Sequence, residues 1–91
     1  GIAQIMELVE KTGSLSEACR QMQMAYSKGW RIVKRAENEL GFSLMTGNSG
    51  GKGGGNMTLT EQGRNFLEKY QAMDAELKKD AQTLFEKYFT N

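Results

Sequence analysis

The sequence predicts a mainly α-helical fold: three short helices, a two-stranded hairpin and a long carboxy-terminal helix. Three observations carry this. Apolar residues recur at helical spacing in each stretch before Gly41. Six glycines crowd the ten residues Gly47 to Asn56, between two short runs with strand character. From Thr60 to Phe89 there is no proline, and the only glycine is Gly63 in the first turn.

The elements follow in order. Ile2 to Lys11 forms a helix whose apolar stripe is Ile2, Ile5, Met6 and Val9. Thr12-Gly13 ends it, glycine being the residue that takes positive φ cheaply. Ser14 with Glu17 three residues later is a capping box, which satisfies free N–H groups at a helix start. A second helix, roughly Leu15 to Met22, turns Leu15, Ala18, Cys19 and Met22 inward. Gln23-Met24 is the turn. A third helix begins near Ala25, or at Ser27 because alanine is a poor cap, and stops at Gly41. Its inward positions Gly29, Val33, Ala36 and Leu40 step by four, three and four. Two short helices joined by a tight turn, the second basic, form a helix-turn-helix.

Phe42 to Thr46 and Met57 to Leu59 are the two strands, and the glycine-rich loop between them makes a wing. The last helix is capped by Thr60 and opened by Glu61. Phe66, Tyr70, Met73, Leu77, Ala81, Leu84 and Tyr88 are spaced as one seam along a helix of roughly 40 Å. A stripe that long cannot be buried against so small a body, so the seam is expected to pair with a second copy of the chain. Residues 1–60 then form the winged helix-turn-helix and residues 61–91 the dimerisation helix.

Composition narrows the function. Ninety-one residues make one domain with a marginal core, which association between chains would support. The net charge of +1 conceals a basic middle. Residues 20–60 hold six basic and two acidic side chains, whereas acids outnumber bases on both flanks. This is a local patch for an anionic partner. With a single cysteine no intrachain disulfide forms, which fits a reducing compartment. No apolar run is long enough to span a membrane, so no membrane partner is expected. The absence of histidine removes imidazole metal sites and imidazole acid–base catalysis. No pair of acids converges and Cys19 lies on a core stripe, so no enzyme, metal site or cofactor is expected. Nor is the glycine loop a nucleotide phosphate loop: Lys52 is followed by Gly53, not Ser or Thr, and a strand comes next instead of a helix.

The order of these pieces resembles the winged-helix DNA-binding domain of ModE-type molybdate-responsive regulators. The resemblance rests on Gly50-Gly51-Lys52-Gly53-Gly54-Gly55 followed by Leu59-Thr60 and Gly63. Gly13-Ser14 before the second helix and Tyr26 with Trp30 in the third support it. The layout is also similar to the amino-terminal domain of LysR-type regulators. It implies a cytoplasmic, bacterial or archaeal transcriptional regulator that binds double-stranded DNA as a homodimer, at a roughly palindromic site. In ModE-type regulators the oxyanion binds in separate carboxy-terminal domains, so no small-molecule effector site is expected within these residues. A fragment of a longer regulator and a stand-alone reader both remain open.

Candidate DNA contacts follow. Tyr26, Ser27, Lys28 and Arg31 stand nearest the bases, with Lys34 and Arg35 nearer phosphate. Arginine reads guanine by a bidentate contact, whereas lysine more often supplies charge. The plain alternative is a solvated basic face. Trp30 either packs against the wing or touches the DNA. In the wing, Lys52 supplies charge and the glycines let backbone N–H groups approach phosphate, with Asn48 and Ser49 as weaker polar contacts. Ser14 and Ser16 open the second helix, where a phosphate could sit, although capping is the plainer role for Ser14. Glu37 and Glu39 are expected to face solvent. The competing function is a winged-helix protein-interaction module that touches no DNA, with the basic face meeting an acidic partner.

Overall fold

The computed structural model describes residues 1–47 and 56–90. Its elements are α1 (Ile2–Thr12), α2 (Leu15–Gln21), α3 (Tyr26–Leu40), β1 (Met45–Thr46), β2 (Thr58–Leu59) and α4 (Glu61–Phe89). The calls on Asn48, Ser49 and Lys52 lie outside the described residues.

α1 buries Ile5, Met6 and Val9 completely. It ends where Gly13, at φ 74°, donates its N–H to the Val9 carbonyl at 2.7 Å. Ser14 then caps α2, its Oγ accepting the Glu17 N–H at 3.0 Å. Only this half of the capping box is built. The Ser14 N–H goes to Thr12 Oγ1 instead, while the Glu17 carboxylate turns outward to Arg20. Between α2 and α3 the chain reverses through Gln23, which adopts φ 57°. Its neighbour Met24 donates to the Cys19 carbonyl at 3.0 Å.

α3 crosses α2 at close range because Gly29 has no side chain. A Cβ there would stand 2.2 Å from Cys19 Sγ. Gly29 and Val33 are the buried residues of this helix. Ala36 is half-buried, and Leu40, expected on the core face, is 37% exposed instead. The helix outruns the body it packs on, so its last turn leaves the core before Gly41 ends it at φ 84°.

The hairpin is antiparallel, pairing Met45 with Leu59 and Thr46 with Thr58. Its ladder is shorter than the strands expected at Phe42 to Thr46 and Met57 to Leu59. Leu44 N–H is taken by a side chain, and Met57 N–H bonds the Gly13 carbonyl at 3.0 Å. That second bond ties the wing base to the corner between α1 and α2. Leu44, Met45, Met57 and Leu59 complete a core shared with α1, α2 and Leu67 of α4.

Thr60 organises the entry to α4. Its Oγ1 accepts the Gly63 N–H at 2.9 Å and donates to the Ser43 carbonyl at 2.6 Å. Gly63 lies against the backbone immediately before β1, where a Cβ would stand 2.1 Å from the Leu44 oxygen. Gly63 and Leu67 are the buried residues of α4. Arg64 pairs with Glu10 at 3.2 Å, and Gln71 bonds Glu7 at 2.8 Å. From Ala75 to Thr90 every residue is exposed. The projecting helix gives extents of 57 × 27 × 20 Å and a radius of gyration of 16.0 Å, against about 12 Å for a compact domain of this length.

Candidate nucleic-acid interface

With Gly29 and Val33 inward, the geometry of α3 fixes what faces out. Tyr26, Ser27, Lys28, Trp30, Arg31, Lys34 and Arg35 are all exposed. The structure therefore brings the expected α3 residues onto one open side. Arg31 Nε donates to the Ser27 carbonyl at 3.4 Å, which leans its guanidinium toward the amino-terminal turn. Arg35 and Glu39 form a surface pair at 3.5 Å, an arrangement worth little in water. Lys28 makes no ion pair among the described residues.

Lys34 has two engagements. Its ammonium lies 5.2 Å from the Trp30 ring centroid and 3.3 Å from Glu37 Oε1. The other Glu37 oxygen accepts the Leu44 N–H at 2.8 Å. Indole, ammonium, carboxylate and backbone amide thus run in sequence from the exposed face of α3 to the base of the hairpin. This corrects the expectation that Glu37 faces solvent: its side chain is 11% exposed and clamps α3 to the strand. A sequence reading sees only a late helical acid, because its partner lies seven residues on and offers no side-chain signal.

Trp30 is 45% exposed and separates two hollows. On one side Tyr26, Ser27 and Arg31 join it around about 310 Å³. On the other, Trp30 lines a hollow of about 250 Å³ with Val33, Lys34, Glu37, Met45 and Met57 at the wing base. Trp30 thus shares a hollow with the wing base while nearly half of its surface is open.

The two serines of α2 separate. Ser14, expected among the DNA contacts, is 3% exposed and its hydroxyl is committed to the cap, so it is not a surface contact. Ser16 is exposed. Cys19 is buried beneath Gly29, and desolvation pushes its thiol pKa up, which keeps it protonated and inert. Among the described residues no three His, Cys, Asp or Glu side chains gather to hold a metal. No described helix is long and apolar enough to cross a membrane.

The seam of α4 is the second surface. Phe66 is half-buried against the body, while Tyr70, Met73, Leu77, Ala81, Leu84 and Tyr88 are exposed. Phe85 and Phe89 widen it, their ring centroids 5.2 Å apart and their exposures 55% and 75%. The sequence seam omits both, because one line of residues stepping by three and four passes beside them. It also omits Leu67, whose burial shows that α4 docks on a different line from the one it leaves open.

Comparison with known proteins agrees with this arrangement. Residues 3–64 match the bacterial regulatory helix-turn-helix proteins of the lysR family. The molybdenum-pterin-binding protein MopB of Rhodobacter capsulatus is 32% identical over 71 residues, which are 78% of this chain and 26% of that protein. The molybdenum transport protein ModE of Azotobacter vinelandii is 28% identical over 72 residues, 79% of this chain and 27% of its own length. The solved structure of CrgA, a LysR-type transcriptional regulator from Neisseria meningitidis, superposes with a TM-score of 0.59 at 29% identity. That match covers 93% of this chain and 27% of CrgA. The chain thus spans about a quarter of the length of these relatives.

Proposed function

The chain belongs to the lysR family of bacterial regulatory helix-turn-helix proteins, and on that premise we propose that it is the DNA-reading part of a homodimeric transcriptional regulator. One observation carries the proposal: α3 turns Gly29, Val33 and Ala36 to the core and ties Glu37 to the hairpin base, leaving Lys28, Arg31, Lys34 and Arg35 together on its open side. A duplex supplies the matching density of negative charge, and the amino-terminal turns of such a helix meet base edges in the major groove. Arg31 reads guanine with Tyr26, Ser27 and Lys28 also near the bases, Arg35 holds phosphate, and Lys34 engages Trp30 and Glu37 while adding charge near phosphate. Ser16 and the wing residues Asn48, Ser49 and Lys52 contribute backbone contacts. The chemistry throughout is binding, not catalysis.

Residues 1–60 act as the reader and residues 61–91 as the dimerisation helix. Exposed apolar side chains from Tyr70 to Phe89 supply a seam that a second copy covers. Two readers related by a two-fold axis select an inverted repeat. The protein works in the cytoplasm, and any effector site lies outside these residues.

Selection of duplexes from a random DNA pool at moderate salt tests the proposal. An inverted repeat is the expected product, its half-site spacing reporting the distance between the two α3 helices. An unenriched pool defeats sequence-specific reading. Retention of duplex only at low salt would then indicate non-specific binding, and no retention at any salt would support a protein-interaction module.

A further inference from the structure

We propose that Tyr26 and Trp30 form an apolar ledge that reads the 5-methyl group of a thymine in the major groove, beside the guanine read by Arg31. The inference rests on the DNA-reading function and adds a named base to it. Tyr26 and Trp30 are four residues apart, so their rings are neighbours on the surface of α3. They are 39% and 45% exposed, and with Ser27 and Arg31 they line one hollow. Neither ring belongs to the buried core, to which α3 contributes Gly29 and Val33, with Ile32 and Ala36 packed at its margin.

What covers such a ledge is set by its surroundings. A second hollow, lined by Lys28, Arg31, Ile32 and Arg35, adjoins it through Arg31. The positive groups around both hollows seat the face on phosphate backbones, which puts the rings at the depth of the base edges. Of the groups that base pairs present in the major groove, the thymine methyl is the apolar one. Tyr26 is the first residue of α3, in the turn that enters a groove deepest. On its other side the Trp30 indole is engaged by the Lys34 ammonium, 5.2 Å from the ring centroid.

The test begins with the duplex selected from the random pool. Each thymine of a half-site is replaced in turn by deoxyuridine, which removes only the methyl group. At one position per half-site the affinity is expected to fall about fourfold, the effect of losing one buried methyl. Trp30→Ala or Tyr26→Ala should bind the thymine and deoxyuridine duplexes alike. Trp30→Phe, which keeps an aromatic ring on the same fold, should keep a preference for thymine. Circular dichroism of each variant establishes that α3 is intact. Equal binding of every deoxyuridine duplex by the unsubstituted chain overturns the inference, as does a penalty that survives in both alanine variants. Either result leaves sequence-specific binding standing, whereas a pool that yields no duplex removes the DNA-reading function itself.

Discussion

α3 and α4 attach to the body in the same way and face solvent with opposite chemistry. Each buries a glycine and an aliphatic residue four positions later, Gly29 with Val33 and Gly63 with Leu67. Each glycine permits an approach that a Cβ would block, at 2.2 Å for Gly29 and 2.1 Å for Gly63. So narrow a contact leaves most of either helix uncovered. α3 uses its free surface for four cations and two aromatic rings, and α4 for a line of leucines, methionine and aromatics. A small domain can in this way present two long surfaces while spending only a short stretch of each helix on its own core.

The largest effect is expected on the α4 side. Leu77→Asp with Leu84→Asp places four carboxylates in the seam of the proposed dimer. Burying unpaired charge there costs several kcal/mol. The double variant should run as a folded monomer in analytical ultracentrifugation at micromolar concentration. An unsubstituted chain that is itself monomeric there would remove the seam as a dimer contact.

The two glycines distinguish the helices next. The obstacle to Gly63→Ala is the Leu44 carbonyl oxygen, part of the backbone immediately before β1. Overpacking against a fixed group is expected to cost about 3 kcal/mol, the upper part of the usual range. Gly29→Ala meets the Cys19 sulfur, the end of a rotatable side chain. The roughly 1 kcal/mol that alanine gains over glycine in a helix applies to both sites, so the contrast rests on the obstacle each Cβ meets. Urea denaturation should therefore rank Gly63→Ala well below Gly29→Ala, and Cys19→Ala should recover the loss in the second alone. Equal losses would contradict the contrast between a backbone and a side-chain obstacle.

On the α3 side the effect is on affinity. Arg31→Ala is expected to weaken binding to the selected duplex by about 1–3 kcal/mol and to relax the preference at one base pair. Lys52→Ala in the wing should weaken all duplexes alike and flatten the salt dependence. Equal losses from Arg31→Ala on specific and random duplexes would reassign Arg31 to phosphate.

How much of this was legible in the sequence follows from the range of each interaction. The capping bonds of Ser14, Gly13, Gly41 and Thr60 reach atoms within four residues, so the helix limits they set are readable locally, unlike the bonds that Thr60 and Gly13 also make to Ser43 and Met57. The helical stripe of α3 gave Gly29 and Val33 their burial. It misplaced Leu40, because periodicity describes a helix and not how far its neighbours extend. Glu37 was misread for a related reason: its partner is a backbone N–H that becomes available only where the ladder begins late, at Met45. On α4 the seam and the docking line are both apolar at helical spacing. Only packing decides that Leu67 turns inward while Met73 and Leu77 turn out. The open face of α3 was legible because charge has a sign. The tryptophan on it was not, since aromatic size suits a core and a contact surface equally.

The smallest effect belongs to α2, which supports α3 from behind. Glu17 accepts hydrogen bonds from the Arg20 guanidinium and from Gln21 Nε2, and these lower its pKa from 4.5 to about 2. A carboxylate whose pKa is depressed by folding stabilises the native state above its unfolded pKa. That contribution is lost as pH falls from about 4.5 through about 2. Because the pair lies at the surface, solvent and salt weaken it. Thermal midpoints of the chain and of Glu17→Gln should therefore differ modestly at neutral pH, and converge as pH falls across that window. Comparing the two cancels the titration of the other carboxylates, which they share. A difference that stays constant from neutral pH down to about pH 2 would mean that Arg20 gains nothing from the charge on Glu17, and that α2 is held by its Ser14 cap and its buried face alone.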